Sequence, residues 1–245
     1  MKASLLFLLL FAAPTSAGPG DQGPQPGVLD TAGADHSALG QGFLFGRTPA
    51  EHCSTQVLHG GMRLPDRPEL YSYWNASTAW GTAEMLHAVT TAAAEMAWLM
   101  PHADPLIVGD ISSQTGGQLT THKSHRSGLD ADIGIFTVGG KQPDGAGFVG
   151  VTPDTIDYEA NWLFWRSLLE TGLVDRVLLD QPLIDAMRTW TIAEGELSEA
   201  EAFQTFPPRG TPRLWARNGV FQHAVNHHHH IHLRILCGDD IKPLN

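Results

Sequence analysis

Histidine and aspartate residues, which can bind metal ions, gather in two segments that are far apart in this chain. The first cluster consists of His122, His125, Asp130 and Asp132. The second consists of His223, His227, His228, His229, His230 and His232. Imidazole nitrogens and carboxylate oxygens are common zinc ligands, and three protein ligands with one open position are typical of catalytic zinc. The two clusters therefore predict a metal site that could perform hydrolysis.

Both clusters run into segments that alternate as β-strands do. In segments 130–136 and 230–237, apolar residues or cysteine occupy the odd positions, and the even positions include Asp132 and His232. Alternate residues of a strand point to opposite faces of the sheet. If both apolar faces pack into one core, neighbouring strands would place Asp132 beside His232. His125, in the loop before the first strand, could then fold over the same polar face.

Two motifs resemble those of a known family. The segment His122–Asp132 reads HKSHRSGLDAD and is similar to the pattern H-x-S-H-x-x-G-L-D-x-D of the penicillin-insensitive murein endopeptidases. The segment His227–Arg234 reads HHHHIHLR and resembles their H-x-x-H-x-H-V-R pattern. The segment Val108–Ser112 also looks like theirs. The resemblance extends over approximately residues 50–238 and joins the motifs in the family's order and spacing.

The resemblance implies an activity and a set of site residues. Members of the family cleave peptide cross-links of peptidoglycan, at the bond between D-alanine and meso-diaminopimelate, with a zinc-activated water. Their motif positions correspond here to the zinc ligands His125, Asp132 and His232, and to the catalytic residues His230, His227 and His122, with His230 as the base. One zinc ion per chain is implied. We expect Asp130 to support a ligand instead of binding the metal itself.

Several departures from the family pattern leave alternatives open. Thr121 stands where glycine is frequent, and Ala224–Asn226 replaces a Trp-Arg-Gly sequence. The residues at the metal-ligand positions are all present, but the identity of the bond that is cleaved stays open. The alternatives are a D,D- or L,D-carboxypeptidase acting on stem peptides, a non-catalytic zinc-binding or wall-binding module, and a histidine-rich metal buffer. Tyr71, Tyr73 and Trp74 could line a substrate cleft or belong to the core.

Helices and strands are mixed without a regular βαβ alternation, which favours an α+β fold. The resemblance implies a small antiparallel sheet flanked by helices, as in the hedgehog domain and the D-Ala-D-Ala metallopeptidases. The patterns predict helices from Ser77 or Thr78 to about Leu99, from Asp157 to Gly172 and from Pro182 to about Trp190, strands at 105–109, 130–138, 174–179 and 229–237, and irregular chain at 194–220.

The N-terminal residues are typical of an exported protein. Residues 1–17 combine Lys2, a short apolar stretch and small residues, as in a cleavable signal peptide. Residues 18–45 form a Gly/Pro-rich leader, and residues 46–245 form the predicted catalytic domain. We therefore expect a periplasmic protein that acts on peptidoglycan and keeps no membrane anchor after signal cleavage.

Charge and cysteine content agree with this location. The formal net charge of -11 argues against a nucleic-acid partner, because such proteins usually carry a basic face. Cys53 and Cys237 are the two cysteines of the chain. In an exported protein they suggest one disulfide, although two buried thiols remain the alternative.

Overall fold

A computed structural model of the protein describes residues 48, 50–53, 55–119, 123–142, 147–211 and 220–238. These residues fall in one compact unit. The predicted signal peptide and leader lie outside the described residues. Within the described part of the chain, no helix combines the length and the apolar character that crossing a bilayer requires.

Short strands and longer helices alternate irregularly along the described chain. The helices are α1 (Ala50–Cys53), α2 (Ala83–Leu99), α3 (Tyr158–Glu170), α4 (Gln181–Ala193) and α5 (Glu199–Thr205). The strands are β1 (Met62–Arg63), β2 (Tyr71–Tyr73), β3 (Trp80–Gly81), β4 (Leu106–Val108), β5 (Asp130–Gly134), β6 (Val174–Leu179), β7 (Phe221–His223) and β8 (His230–Ile235). This mixture confirms the predicted α+β class.

Six strands form the main sheet, in the order β2-β4-β5-β8-β6-β7, while β1 and β3 pair separately. The central pairs β4–β5, β5–β8 and β8–β6 are antiparallel. The outer pairs β2–β4 and β6–β7 are parallel. The sheet is therefore antiparallel at its centre, as expected, and parallel at its two edges.

One face of the sheet lies against the hydrophobic core. Ala131 and Ile133 of β5 and Ile231 and Leu233 of β8 are fully buried, and they belong to the same apolar cluster as residues of α2, α3 and α4. Adjacent residues of a strand point to opposite faces, so the even-numbered residues of β5 and β8 lie on the other face. The predicted alternation is thus confirmed, and this second face carries the candidate site.

The predicted start of α2, at Ser77 or Thr78, was wrong. It begins at Ala83, because the hydroxyl of Thr82 accepts a hydrogen bond from the backbone N–H of Met85. Ser77 lies in a turn, where it donates to the side chain of Asn75. Trp80 does not belong to the helix but pairs with Arg63 in the small sheet.

A short helix interrupts the segment that was predicted to be irregular. α5 begins with a capping box, in which Ser198 accepts from the backbone N–H of Glu201 and the Glu201 carboxylate accepts from that of Ser198. This reciprocal pairing satisfies two backbone donors at the helix start. The Ser-x-x-Glu spacing is visible in the sequence and could have predicted the helix.

The two cysteines form a disulfide between Cys53 in α1 and Cys237, just after β8. The prediction of a disulfide is confirmed, and the free-thiol alternative is excluded. The bond links residues 184 positions apart, and so it joins the beginning of the described chain to the strand that carries His232.

Candidate metal centre

The pairing of two neighbouring strands brings the two sequence clusters together. β5 and β8 pair in a register that places Asp132 directly opposite His232. The Oδ1 atom of Asp132 lies 3.0 Å from Nδ1 of His232 and 3.2 Å from Nε2 of His125. All three residues are buried. Residues separated by about one hundred positions in the sequence therefore meet within one small volume.

These three residues have donor atoms that could hold a metal ion. One donor atom from each of His125, Asp132 and His232 lies within 4.8 Å of the others. Zinc bonds to nitrogen and oxygen are about 2.0–2.2 Å long, which places tetrahedral donors about 3.4 Å apart. The observed separations of 3.0 and 3.2 Å are close to that edge length. Two imidazoles and one carboxylate also leave a fourth position for water or substrate.

Hydrogen bonds behind the site orient both imidazoles. Nδ1 of His125 lies 3.2 Å from the carbonyl oxygen of Ile111, to which it can donate. Nε2 of His232 lies 3.0 Å from Asp130, whose carboxylate also accepts from Arg234 at 2.8 and 3.0 Å. With these outer nitrogens protonated, the lone pairs of the inner nitrogens face the site. Asp130 lies where a supporting carboxylate would be needed.

The Asp132 carboxylate and the His232 imidazole of this site shift each other's pKa values. Burial would raise the pKa of Asp132, but hydrogen bonds from His125 and His232 outweigh it and hold that pKa well below its usual range. Burial lowers the pKa of His232, yet hydrogen bonds to Asp130 and Asp132 raise it overall to about 9. At neutral pH a metal ion that binds here must therefore displace a proton from His232.

Two further histidines lie beside these residues. Nε2 of His230 is 3.4 Å from Oδ1 of Asp132, and burial lowers the pKa of His230 to about 3, although the charge of Asp132 acts in the opposite sense. The His230 imidazole is therefore neutral at pH 7. The ring of His227 is 5.0 Å from that of His230 and 6.1 Å from that of His232. The third predicted catalytic residue, His122, lies outside the described residues.

A turn with an unusual backbone conformation positions His227. Asn226 has a φ of 67°, in the left-handed region, and Nδ1 of His227 lies 3.0 Å from the carbonyl oxygen of Val225. Asparagine enters this region more readily than most residues with a side chain. Asn226 belongs to the Ala224–Asn226 departure noted in the sequence, and it is a residue type that this turn accepts.

We predict that replacing Asn226 by valine destabilises the fold by about 1–2 kcal/mol, because a β-branched residue is strained at positive φ. Replacement by glycine should change the free energy of unfolding by less than about 1 kcal/mol. Urea unfolding of the two variants provides the measurement. Equal stabilities of the valine and glycine variants would show that the turn has relaxed.

The three aromatic residues that could have lined a cleft, Tyr71, Tyr73 and Trp74, have different surroundings in the structure. Tyr71 is buried and donates to the carbonyl of Pro65, so it belongs to the core. Tyr73 donates to Asp66 and packs partly against the core. Trp74 is 39% exposed. Its ring lies 4.1 Å from that of Phe148, between centroids.

Phe148 is a site residue that sequence analysis missed. Its ring lies 4.9 Å from that of His230 at an interplanar angle of 22°. A side chain at position 109 would approach Phe148 within 2.9 Å and Asp132 within 3.3 Å, so Gly109 permits this packing. Phe148 lies in a Gly-rich stretch without strand or helix periodicity, and no local pattern connects it to the histidines.

The first of the two motifs is also detected by comparison with known families. Residues 51–145 match the family model of the penicillin-insensitive murein endopeptidases. This match supports the resemblance and includes His125 and Asp132. It ends before the second histidine cluster, which the strand pairing brings to the same site. No curated protein matches the chain.

Proposed function

We propose that this chain is a zinc-dependent peptidase that hydrolyses the peptide cross-links of bacterial peptidoglycan, at D-alanyl–meso-diaminopimelyl bonds. The observation that carries the proposal is the convergence of His125, Asp132 and His232, with Nε2 of His230 only 3.4 Å from Asp132. The family match over residues 51–145 supports the substrate class. A peptidase needs both an electrophilic centre and a proton acceptor, and this face of the sheet offers residues for both.

The ligand set fits zinc. Two imidazoles and one carboxylate are ordinary zinc ligands. The carboxylate oxygen lies 3.0 and 3.2 Å from the two imidazole nitrogens, and all three donor atoms lie within 4.8 Å of one another. When bound, zinc would supply Lewis acidity. This polarises a carbonyl and lowers the pKa of water, so that the water can lose a proton and attack the carbonyl carbon. Asp130 would keep the proton of His232 on Nε2, with its own charge held in place by Arg234.

His230 is proposed as the general base. Its Nε2 lies 3.4 Å from Oδ1 of Asp132, beside the three candidate ligands, so an unprotonated Nε2 is placed to accept a proton from water at the site. The same nitrogen would later donate that proton to the leaving amine. His227 would orient the substrate or stabilise the charge that develops on the carbonyl oxygen, and its ring lies close enough to His230 to share this space. His122 is proposed to assist in the same way.

A protein that cleaves peptidoglycan has to work outside the cytoplasm, where that polymer is found. We propose that residues 1–17 direct export, and that the mature protein acts in the periplasm. The disulfide between Cys53 and Cys237 supports this location, because structural disulfides persist mainly in oxidising compartments.

Mass spectrometry of the products from purified peptidoglycan, with and without a chelator, tests the proposal. Cleavage of cross-linked dimers that stops with chelator supports the endopeptidase. Release of terminal residues only would identify a carboxypeptidase. Stoichiometric metal without any cleavage would identify a binding module.

Replacing His230 by alanine should lower turnover about 10²–10⁴-fold, because a positioned base contributes that much. Metal content should stay unchanged, since His230 is not among the three ligands. His228→Ala is the matched control, because His228 is an exposed neighbour whose Nδ1 faces Asp180. Activity that survives in His230→Ala would show that the base has been assigned wrongly.

A further inference from the structure

His229, which lies beside the proposed base, has no role in the mechanism described so far. Its Nδ1 atom forms a hydrogen bond of 2.5 Å with Nδ1 of His230. The centroids of the two rings are 4.5 Å apart, at an interplanar angle of 30°. The contact therefore lies on the side of the His230 ring opposite the Nε2 atom that faces Asp132.

A hydrogen bond between two imidazole Nδ1 atoms requires a proton on one of them. Which residue carries that proton determines whether His230 can act as a base. If His229 donates, His230 carries its own proton on Nε2 and presents an N–H to Asp132. If His230 donates, its proton is on Nδ1, and the Nε2 lone pair faces the site. Only the second arrangement leaves His230 able to accept a proton from water at Nε2.

We propose that His229 is a positioning residue, which accepts the Nδ1–H of His230 and thereby holds the base in its productive tautomer and orientation. This inference rests on the proposed role of His230. During proton transfer, Nε2 of His230 gains a proton while its Nδ1–H remains hydrogen-bonded to His229. When Nε2 returns the proton to the leaving amine, His230 is neutral again, and His229 has not changed its protonation.

The surroundings of the pair favour such a role. The ring of Phe148 lies nearly parallel to both imidazoles, with its centroid 4.9 Å from that of His230 and 6.3 Å from that of His229. The side chain of His230 is only 12% exposed. Phe148 thus limits the access of water to the His229–His230 hydrogen bond, and restricts rotation of the His230 ring.

The neighbouring His228 provides a contrast within the same tract. Its Nδ1 faces Oδ2 of Asp180 at 3.5 Å, and its side chain is 48% exposed. His228 and His229 both precede β8, but the hydrogen bond to the His230 ring is made by His229, whereas the ring of His228 meets that of His229 edge-on, with centroids 5.0 Å apart. A general effect of losing one histidine from the tract would therefore be the same at both positions, but a tautomer effect would arise at position 229 alone.

The experiment compares three full-length variants, loaded with zinc and assayed on purified peptidoglycan. His229→Phe keeps an aromatic ring and removes the hydrogen-bond acceptor of His230. We expect kcat to fall about 10–100-fold, the range found for residues that orient a metal ligand, while KM stays within about twofold. His229→Asn places a carboxamide oxygen near the position of Nδ1, and should recover most of kcat. His228→Phe, the matched control, should retain wild-type kcat.

Two further measurements separate this inference from the proposed function. Thermal unfolding shows whether each variant is folded. The ¹⁵N chemical shifts of the His230 ring report its tautomer without any turnover, and they should show protonated Nδ1 in the wild type and a changed proton distribution in His229→Phe. Unchanged kcat and unchanged tautomer in His229→Phe would overturn the proposal, as would an asparagine variant as slow as the phenylalanine variant. An inactive wild type would instead overturn the proposed peptidase.

Discussion

Replacing Asp132 by asparagine should abolish metal binding and lower peptidoglycan hydrolysis at least about 10³-fold, because the loss of the ion removes several kcal/mol of transition-state stabilisation. Asparagine has nearly the same size, so the strand pairing with His232 should persist. Elemental analysis of the purified protein and product analysis of digested peptidoglycan give the two measurements.

The reason for this large effect is the central position of the Asp132 carboxylate. Its Oδ1 atom is the shared neighbour of His125, His232 and His230, at 3.2, 3.0 and 3.4 Å. A neutral amide lacks the charge that attracts a divalent ion, and a misoriented amide would also present an N–H group to two imidazoles.

Asp185→Asn is the matched control for this substitution. Asp185 lies on α4, is partly exposed and pairs with Arg188 at 2.7 Å. Its carboxylate also accepts from Gln181, away from the candidate ligands, so its variant should keep both the ion and the activity. A tightly held ion in Asp132→Asn would contradict the proposed ligand set.

Removing the disulfide, by changing both Cys53 and Cys237 to serine, should lower the free energy of unfolding by about 5 kcal/mol in the chain-entropy description. The expected loss is large because the bond closes a loop of 184 positions. The free energy of unfolding of a domain is typically about 5–15 kcal/mol, so the variant would lose a large part of its stability. Urea unfolding at equilibrium measures the difference.

The local structure gives the disulfide a large share in holding this end of the described chain. Cys53 lies in α1, a helix of only four residues that is too short to be stable by itself. Reductant should destabilise the wild type but leave the double-serine variant unchanged, which controls for effects of reductant elsewhere. A difference below about 1 kcal/mol between the two proteins would show that the loop is constrained by other contacts.

Local sequence patterns were sufficient for several elements of the fold. The alternation in β5 and β8 predicted both strands and the faces of their residues, because side chains alternate strictly with the pleat. Asp157 was predicted to begin α3, and its carboxylate accepts from the N–H of Ala160. Gly172 was predicted to end it and has a φ of 68°, which glycine adopts without strain.

The sequence by itself also determined the types and spacing of the candidate ligands, since His125, Asp132 and His232 stand in two recognisable motifs. Only the tertiary structure decided that β5 pairs with β8, in the register that opposes Asp132 to His232. A slip of one residue would have turned the polar side chains toward the core. The contacts of Phe148 and His229 with His230 were likewise decided by folding. They depend on loop packing and on ring orientation, and neither follows from the periodicity of a single segment.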